Sequence, residues 1–106
     1  IEYMIIYNVT MNIDETVHEQ WMNWMKNSFI KQMMQTPYFK SARMVKVLVN
    51  EEMGGLTYST QFETDSTDTL AKFYANEHDI LLGEGYKLFA DKMLIFATEL
   101  AVLEEY

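Results

Sequence analysis

The stretch VHEQWMNWM, Val17 to Met25, decides how the chain is organised. It holds Trp21 and Trp24, each beside a methionine, with His18 one turn ahead of the first. Residues three and four apart share a helix face. Val17, Trp21, Met22, Trp24, Met25 and Phe29 therefore fall on one apolar arc, and His18 lies inside it. Glu19, Gln20, Asn23, Lys26, Asn27 and Lys31 fall on the opposite side. The segment reads as an amphipathic helix laid on a core. Aromatic residues carry large burial energies, so the tryptophans read first as packing residues and only second as walls of a ligand pocket.

Upstream, MIIYNVTMN (Met4 to Asn12) is β-branched and aromatic and reads as a strand. Ile5, Tyr7, Val9 and Met11 share one of its faces; Ile6, Asn8, Thr10 and Asn12 share the other. Asp14 suits the N-cap of the tryptophan helix, because its carboxylate can accept the free N–H groups of the first turn. Glu15 and Glu19 suit the positive end of the helix dipole. The helix should stop near Gln35, since Pro37 disfavours the α conformation at Thr36. Downstream, Ala42 to Asn50 reads as a second strand, Glu51 to Gly55 as a hairpin turn built on Gly54-Gly55, and Leu56 to Thr64 as a third strand. Asp65 or Ser66 should cap a second helix whose inner side carries Leu70, Phe73, Tyr74 and Leu81. Gly83 and Gly85 are expected to interrupt it, leaving a short helical piece over Gly85 to Ala90. Met93 to Leu103 is almost wholly apolar, as suits a strand covered on both faces.

The order strand, helix, strand, strand, helix, strand is that of the split βαβ plait, an α+β fold with both helices on one face of a four-stranded antiparallel sheet. The other face of such a sheet is bare, and the strands are apolar on both sides. A large exposed apolar patch marks an interface, so the expected partner is a second copy of the chain, sheet against sheet. No linker, repeat or second domain interrupts the 106 residues.

Composition narrows the function. The net charge is −8, from sixteen acidic against eight basic side chains, and Lys26, Lys31, Lys40, Arg43, Lys46, Lys72, Lys87 and Lys92 are scattered among the acids. Phosphate backbones are held by clustered cations, so nucleic acid and anionic membrane are poor partners. Absence of cysteine removes disulfides, thiolate catalysis and zinc-thiolate sites. The chain carries neither a charged leader before an apolar core nor an apolar run of about eighteen residues, which gives a cytoplasmic expectation. Met4 is the expected natural start, with Ile1 to Tyr3 as an extension.

His18 is the one candidate for a catalytic base, facing inward beside Trp21 and Met25. With Asn8 as a further polar group it gives a candidate ligand-binding set of Asn8, His18, Trp21 and Met25. Sequence leaves open whether Asn8 faces the helices or the bare side. Such a pocket, lined by Trp and Met with one or two polar groups, has the composition of a small-molecule site. His78, flanked by Glu77 and Asp79, reads as a surface residue, because adjacent helical positions do not face one another. Met22, Met25, Met33, Met34 and His18 could suit copper by softness. Methionine is also a common core filler, so neither a metal nor a cofactor is expected. Nucleophile elbows, phosphate loops and zinc-protease motifs are absent from the sequence.

The run MIIYNVTMNIDETVHEQWMNWM, the hairpin EEMGGLTYSTQF and the apolar terminal strand resemble a bacterial domain-of-unknown-function family of similar length. More distantly the chain is similar to the dimeric α+β barrel superfamily. That resemblance implies two plaits paired sheet to sheet, with sites between each sheet and its helices. It also implies either a binding protein for a small apolar or aromatic metabolite, or a cofactor-independent monooxygenase or isomerase. Haem-degrading members of the superfamily use an Asn on the first strand and a Trp and a His on the later helix. Asn8 and His78 match two of these, but the later helix carries Phe73 and Tyr74 and no Trp. The fit to haem degradation is poor.

Overall fold

The computed structural model describes residues 2–48 and 54–106. Its strands are β1 (Ile5–Ile13), β2 (Ser41–Lys46), β3 (Leu56–Thr64) and β4 (Met93–Ala101). They form one antiparallel sheet in the order β2-β3-β1-β4. The first helix runs through an α segment His18–Trp24, a π turn Met25–Phe29 and an α segment Ile30–Gln35. The second repeats the arrangement, with Thr67–Phe73, a π turn Tyr74–His78, and Asp79–Phe89. This is the expected plait.

Local chemistry sets the boundaries. Asp14 Oδ1 accepts the Thr16 N–H at 2.9 Å and the Thr16 hydroxyl at 2.6 Å, opening the 3-10 turn Glu15–Val17 that leads into the first helix. Those two bonds hold the Asp14 carboxyl below its ordinary range. Ser66, one of the two expected caps, accepts the Thr69 N–H at 3.2 Å. Gly54 and Gly55 both take positive φ, 80° and 81°, a region open to glycine because it lacks Cβ. The rest of the expected hairpin turn, Glu51 to Met53, and the end of the expected second strand, Val49 and Asn50, lie outside the described residues.

The alternation on β1 resolves the question of faces. Ile5, Tyr7, Val9, Met11 and Ile13 are buried against the helices, while Ile6, Asn8, Thr10 and Asn12 face the bare side. A chain of ring contacts holds helices and sheet together. It runs from Trp24 to Phe29 (5.1 Å between centroids), Phe62 (6.0 Å), Phe39 (5.4 Å), Phe73 (4.9 Å) and Tyr7 (5.5 Å). Each such pair adds roughly 0.5–1.5 kcal/mol beyond the area it buries.

The helix 79–89 passes unbroken through Gly83 and Gly85, contrary to the expected interruption. Gly85 is there because the ring of Trp24 occupies the space of its missing side chain: a Cβ would lie 2.7 Å from Trp24 Cη2. β4 also departs from expectation. It ends at Ala101, not Leu103, and beyond Ile95 it is exposed on both faces, because it is an edge strand that the helices do not reach. The bare side is less apolar than composition implied. Its central strands carry Asn8, Thr10, Asn12, Ser59 and Gln61, and its exposed apolar side chains are Leu94, Phe96 and Leu100 on β4 with Val45 on β2.

Candidate functional site

His18, Trp21 and Met25 come together on the helix side of the sheet. Trp21 and Met25 are buried, at 0% and 1% exposure, and His18 is half-buried at the start of the first helix. Its Nε2 shares a 2.8 Å hydrogen bond with the hydroxyl of Tyr58. The imidazole lies flat on the Tyr58 ring (5.5 Å, 16°), and the Trp21 indole leans against both (5.0 Å to Tyr58, 6.3 Å to His18). Tyr58 projects to this side because it stands opposite Met11 on β1, in phase with Phe62. Sequence alternation had put Tyr58 and Phe62 on one face, so this partner was legible once the inner face of β3 was known.

Asn8 does not join this group. It lies on the bare side, where its Nδ2 donates to Thr98 Oγ1 at 3.3 Å. The joint set of Asn8 with His18 therefore divides between two faces of the sheet, since the period-two alternation of a strand sends Asn8 away from Tyr7 and Val9. Around Asn8 runs a ladder of side-chain pairs: Thr10 with Ser59 (2.8 Å), Asn12 with Thr57 (3.0 Å), Arg43 with Gln61 (2.9 Å) and Ser41 with Glu63 (3.0 Å). A concavity of about 450 Å³ opens on this side between Ile6, Ser41, Arg43, Gln61, Glu63 and Val102.

Three inner polar atoms stay buried without a hydrogen-bond partner among the described residues: the Trp21 Nε1, the Tyr7 hydroxyl and the Thr64 Oγ1. A buried group in that state costs about 1–3 kcal/mol, and each asks for an explanation. Trp21 Nε1 belongs to the His18–Tyr58 stack. The Tyr7 hydroxyl belongs to a second group that sequence reasoning missed. Tyr74 donates to Glu99 Oε2 at 2.8 Å, its ring stands edge-on to Tyr7 at 5.8 Å, and His78 packs against Tyr74 at 5.2 Å. Burial, then the nearby Tyr86 and Glu99, push the Tyr7 phenol up to about 12. Burial and the bond to the Glu99 carboxylate push the Tyr74 phenol up as well. His78, expected at the surface, is half-buried, with Nδ1 2.9 Å from Asp79 Oδ1. One signal could have disclosed the group: Glu99 is the single charged residue in the run from Met93 to Ala101.

Between the helices, Glu84 accepts from Trp24 Nε1 at 2.8 Å and from Ser28 Oγ at 3.0 Å, a bridge that fixes the tryptophan ring. Among the described residues, no group of three or more His, Asp or Glu side chains could hold a metal ion. No described helix is long and apolar enough to cross a membrane.

The fold recurs in solved structures of low sequence identity. A dimeric ferredoxin-like protein from an uncultured marine organism matches at 12% identity with a TM-score of 0.73, covering 99% of this chain and 100% of its own. An EthD family protein from Bacillus halodurans matches at 13% and 0.67, covering 96% and 99%. SnoaB, a cofactor-independent oxygenase from Streptomyces nogalater, matches at 10% and 0.66, covering 96% and 95%. At such identities the likeness is one of fold alone, that of the ferredoxin-like plait. No curated protein matches the chain in sequence. A family profile does match it, over residues 4–103, nearly the whole chain, and the protein accordingly belongs to the family described as domain of unknown function DUF4286.

Proposed function

We propose that the protein works as a cytoplasmic homodimer that binds a small, flat, apolar or aromatic metabolite beside His18. The observation that carries the binding site is the half-buried His18 imidazole, held by the Tyr58 hydroxyl at 2.8 Å and backed by the Trp21 indole. A ligand carrying one carbonyl oxygen accepts a hydrogen bond from the His18 imidazole. Its ring extends the existing stack of His18, Tyr58 and Trp21, and Met25 forms part of the apolar wall. Asn8 belongs instead to the surface where the second copy packs.

The apolar edge of the bare side supports self-association. Leu94, Phe96 and Leu100 are 55%, 64% and 43% exposed. Beside them the polar ladder is internally hydrogen-bonded, so a second sheet can cover it with little loss of pairing.

The test is a thermal-shift screen of neutral aromatic carbonyl compounds, starting with 1,4-naphthoquinone, on wild type and on His18→Gln and Tyr58→Phe. The expected result is stabilisation of the wild type that both substitutions reduce. Hits that stabilise all three proteins equally would remove the site. A second reading, a cofactor-independent oxygenase or isomerase with His18 as base, draws on the likeness to SnoaB. Oxygen uptake or turnover of a hit compound, lost in His18→Gln, would favour it over binding alone.

A further inference from the structure

The concavity on the bare side holds charges of both signs that do not pair with one another. Arg43 on β2 and Glu63 on β3 line it, and Glu105 joins them from the segment after β4. Cross-strand hydrogen bonds to neutral partners fix the first two. Arg43 Nε donates to Gln61 Oε1 at 2.9 Å, and Glu63 Oε2 accepts from the Ser41 hydroxyl at 3.0 Å. Arg43 stands opposite Gln61 and Ser41 opposite Glu63, so the two rungs are two residues apart, about 7 Å along a strand. Among the described residues, Arg43, Glu63 and Glu105 make no ion pair. Lys40, whose ammonium also feels Glu63, is tied to Asp65 instead. Beside these charges lie the half-buried Ile6, opposite Glu63 on β1, and Val102.

A volume of about 450 Å³ is that of a small-molecule site. A simple anion would answer Arg43 and be repelled by Glu63 and Glu105; a simple cation would meet the reverse. A purely apolar ligand would shut the charges from water without pairing them, which is costly. A zwitterion answers both signs at once. Charge-assisted bonds of about 2.8 Å at each end take up most of the gap between the rungs, so the ammonium and the carboxylate sit on one carbon. We propose that this concavity binds an α-amino acid with an apolar side chain. The Arg43 guanidinium takes the carboxylate, Glu63 takes the ammonium, and the ligand's side chain lies on Ile6 and Val102. The site is on the opposite side of the sheet from His18 and takes a ligand of different charge. Where a second copy covers the sheet, a zwitterion that neutralises both charges matters more, because unpaired charges are costlier away from water.

The experiment is a titration of isotope-labelled protein with L-leucine, followed by backbone amide shifts in nuclear magnetic resonance. Isoamylamine and 4-methylpentanoate, which each keep one of the two charges, serve as matched probes. Saturable shifts centred on residues 41–43, 61–63 and 102–105 are expected for L-leucine alone. Arg43→Gln and Glu63→Gln, both at the sheet surface, should each weaken binding at least tenfold. The proposal is overturned if L-leucine shifts do not saturate, if either variant binds as well as wild type, or if either single-charge probe binds equally. Light scattering on the same samples separates a loss of self-association from a loss of this site. Because the probes and variants differ from those used at His18, failure of either site leaves the other standing.

Discussion

Gly85→Ala and Gly83→Ala are two residues apart on one helix, and the structure assigns them opposite signs. In a helix interior, alanine is favoured over glycine by about 0.8–1.0 kcal/mol. At Gly83 nothing among the described residues lies within 4 Å of the new methyl, so the substitution should stabilise by most of that amount. At Gly85 the methyl would sit 2.7 Å from Trp24 Cη2, 3.2 Å from Trp24 Cζ2 and 3.0 Å from Met93 Cε. Met93 can swing its end away. The indole cannot, because its Nε1 is tied to Glu84 at 2.8 Å and its ring is held between Phe29 and Phe89 at 5.1 and 5.6 Å. Overpacking of a rigid site costs about 1–3 kcal/mol, which offsets the helix gain and leaves Gly85→Ala up to about 2 kcal/mol less stable than wild type. For a domain of this size 1 kcal/mol moves the melting temperature by about 4–8 °C, so the two variants should melt roughly 10 °C apart. Thermal unfolding followed by circular dichroism measures this directly. A Gly85→Ala protein that melts at or above wild type would refute the packing of Trp24 against this helix.

Two further outcomes follow from local strain and burial. Ala90 ends the second helix at φ 47° and ψ −125°, a region that disfavours any residue with a Cβ. Ala90→Gly should therefore raise stability by about 1 kcal/mol in urea unfolding, and no change would show that the strain is absent. Tyr7, whose folded value of about 12 lies above the ordinary 10.0, contributes stability that is complete below pH 10 and is lost as pH rises toward 12. The loss is on the order of 2 kcal/mol. Tyr7→Phe should flatten that alkaline decline and, by removing a hydroxyl without a partner among the described residues, leave neutral stability equal or higher; an unchanged alkaline slope would contradict it.

Much of this molecule was legible from periodicity. The alternation of Ile5, Tyr7, Val9 and Met11 marked the inner face of β1, and the arc of Trp21, Trp24, Met25 and Phe29 marked the inner face of the first helix. The residues that misled did so because their burial depends on neighbours distant in sequence. Gly85 looked like a helix breaker when read alone, since nothing local discloses that the Trp24 ring fills its place. β4 looked doubly covered because apolar composition does not distinguish a central strand from an edge strand. Asn8 and His18 looked like one site, because sequence left open whether Asn8 or Tyr7 faced the helices. The Tyr7, Tyr74 and Glu99 group joins three elements, which no spacing rule connects.

Association through the bare sheet face underlies the proposed function, and light scattering on purified protein tests it most directly. At tens of micromolar, wild type should show twice the 12.5 kDa chain mass. Phe96→Asp, which puts a charge in the middle of the exposed stripe of β4, should yield a folded species of half that mass. A wild-type monomer, or a Phe96→Asp variant that remains dimeric, would contradict it.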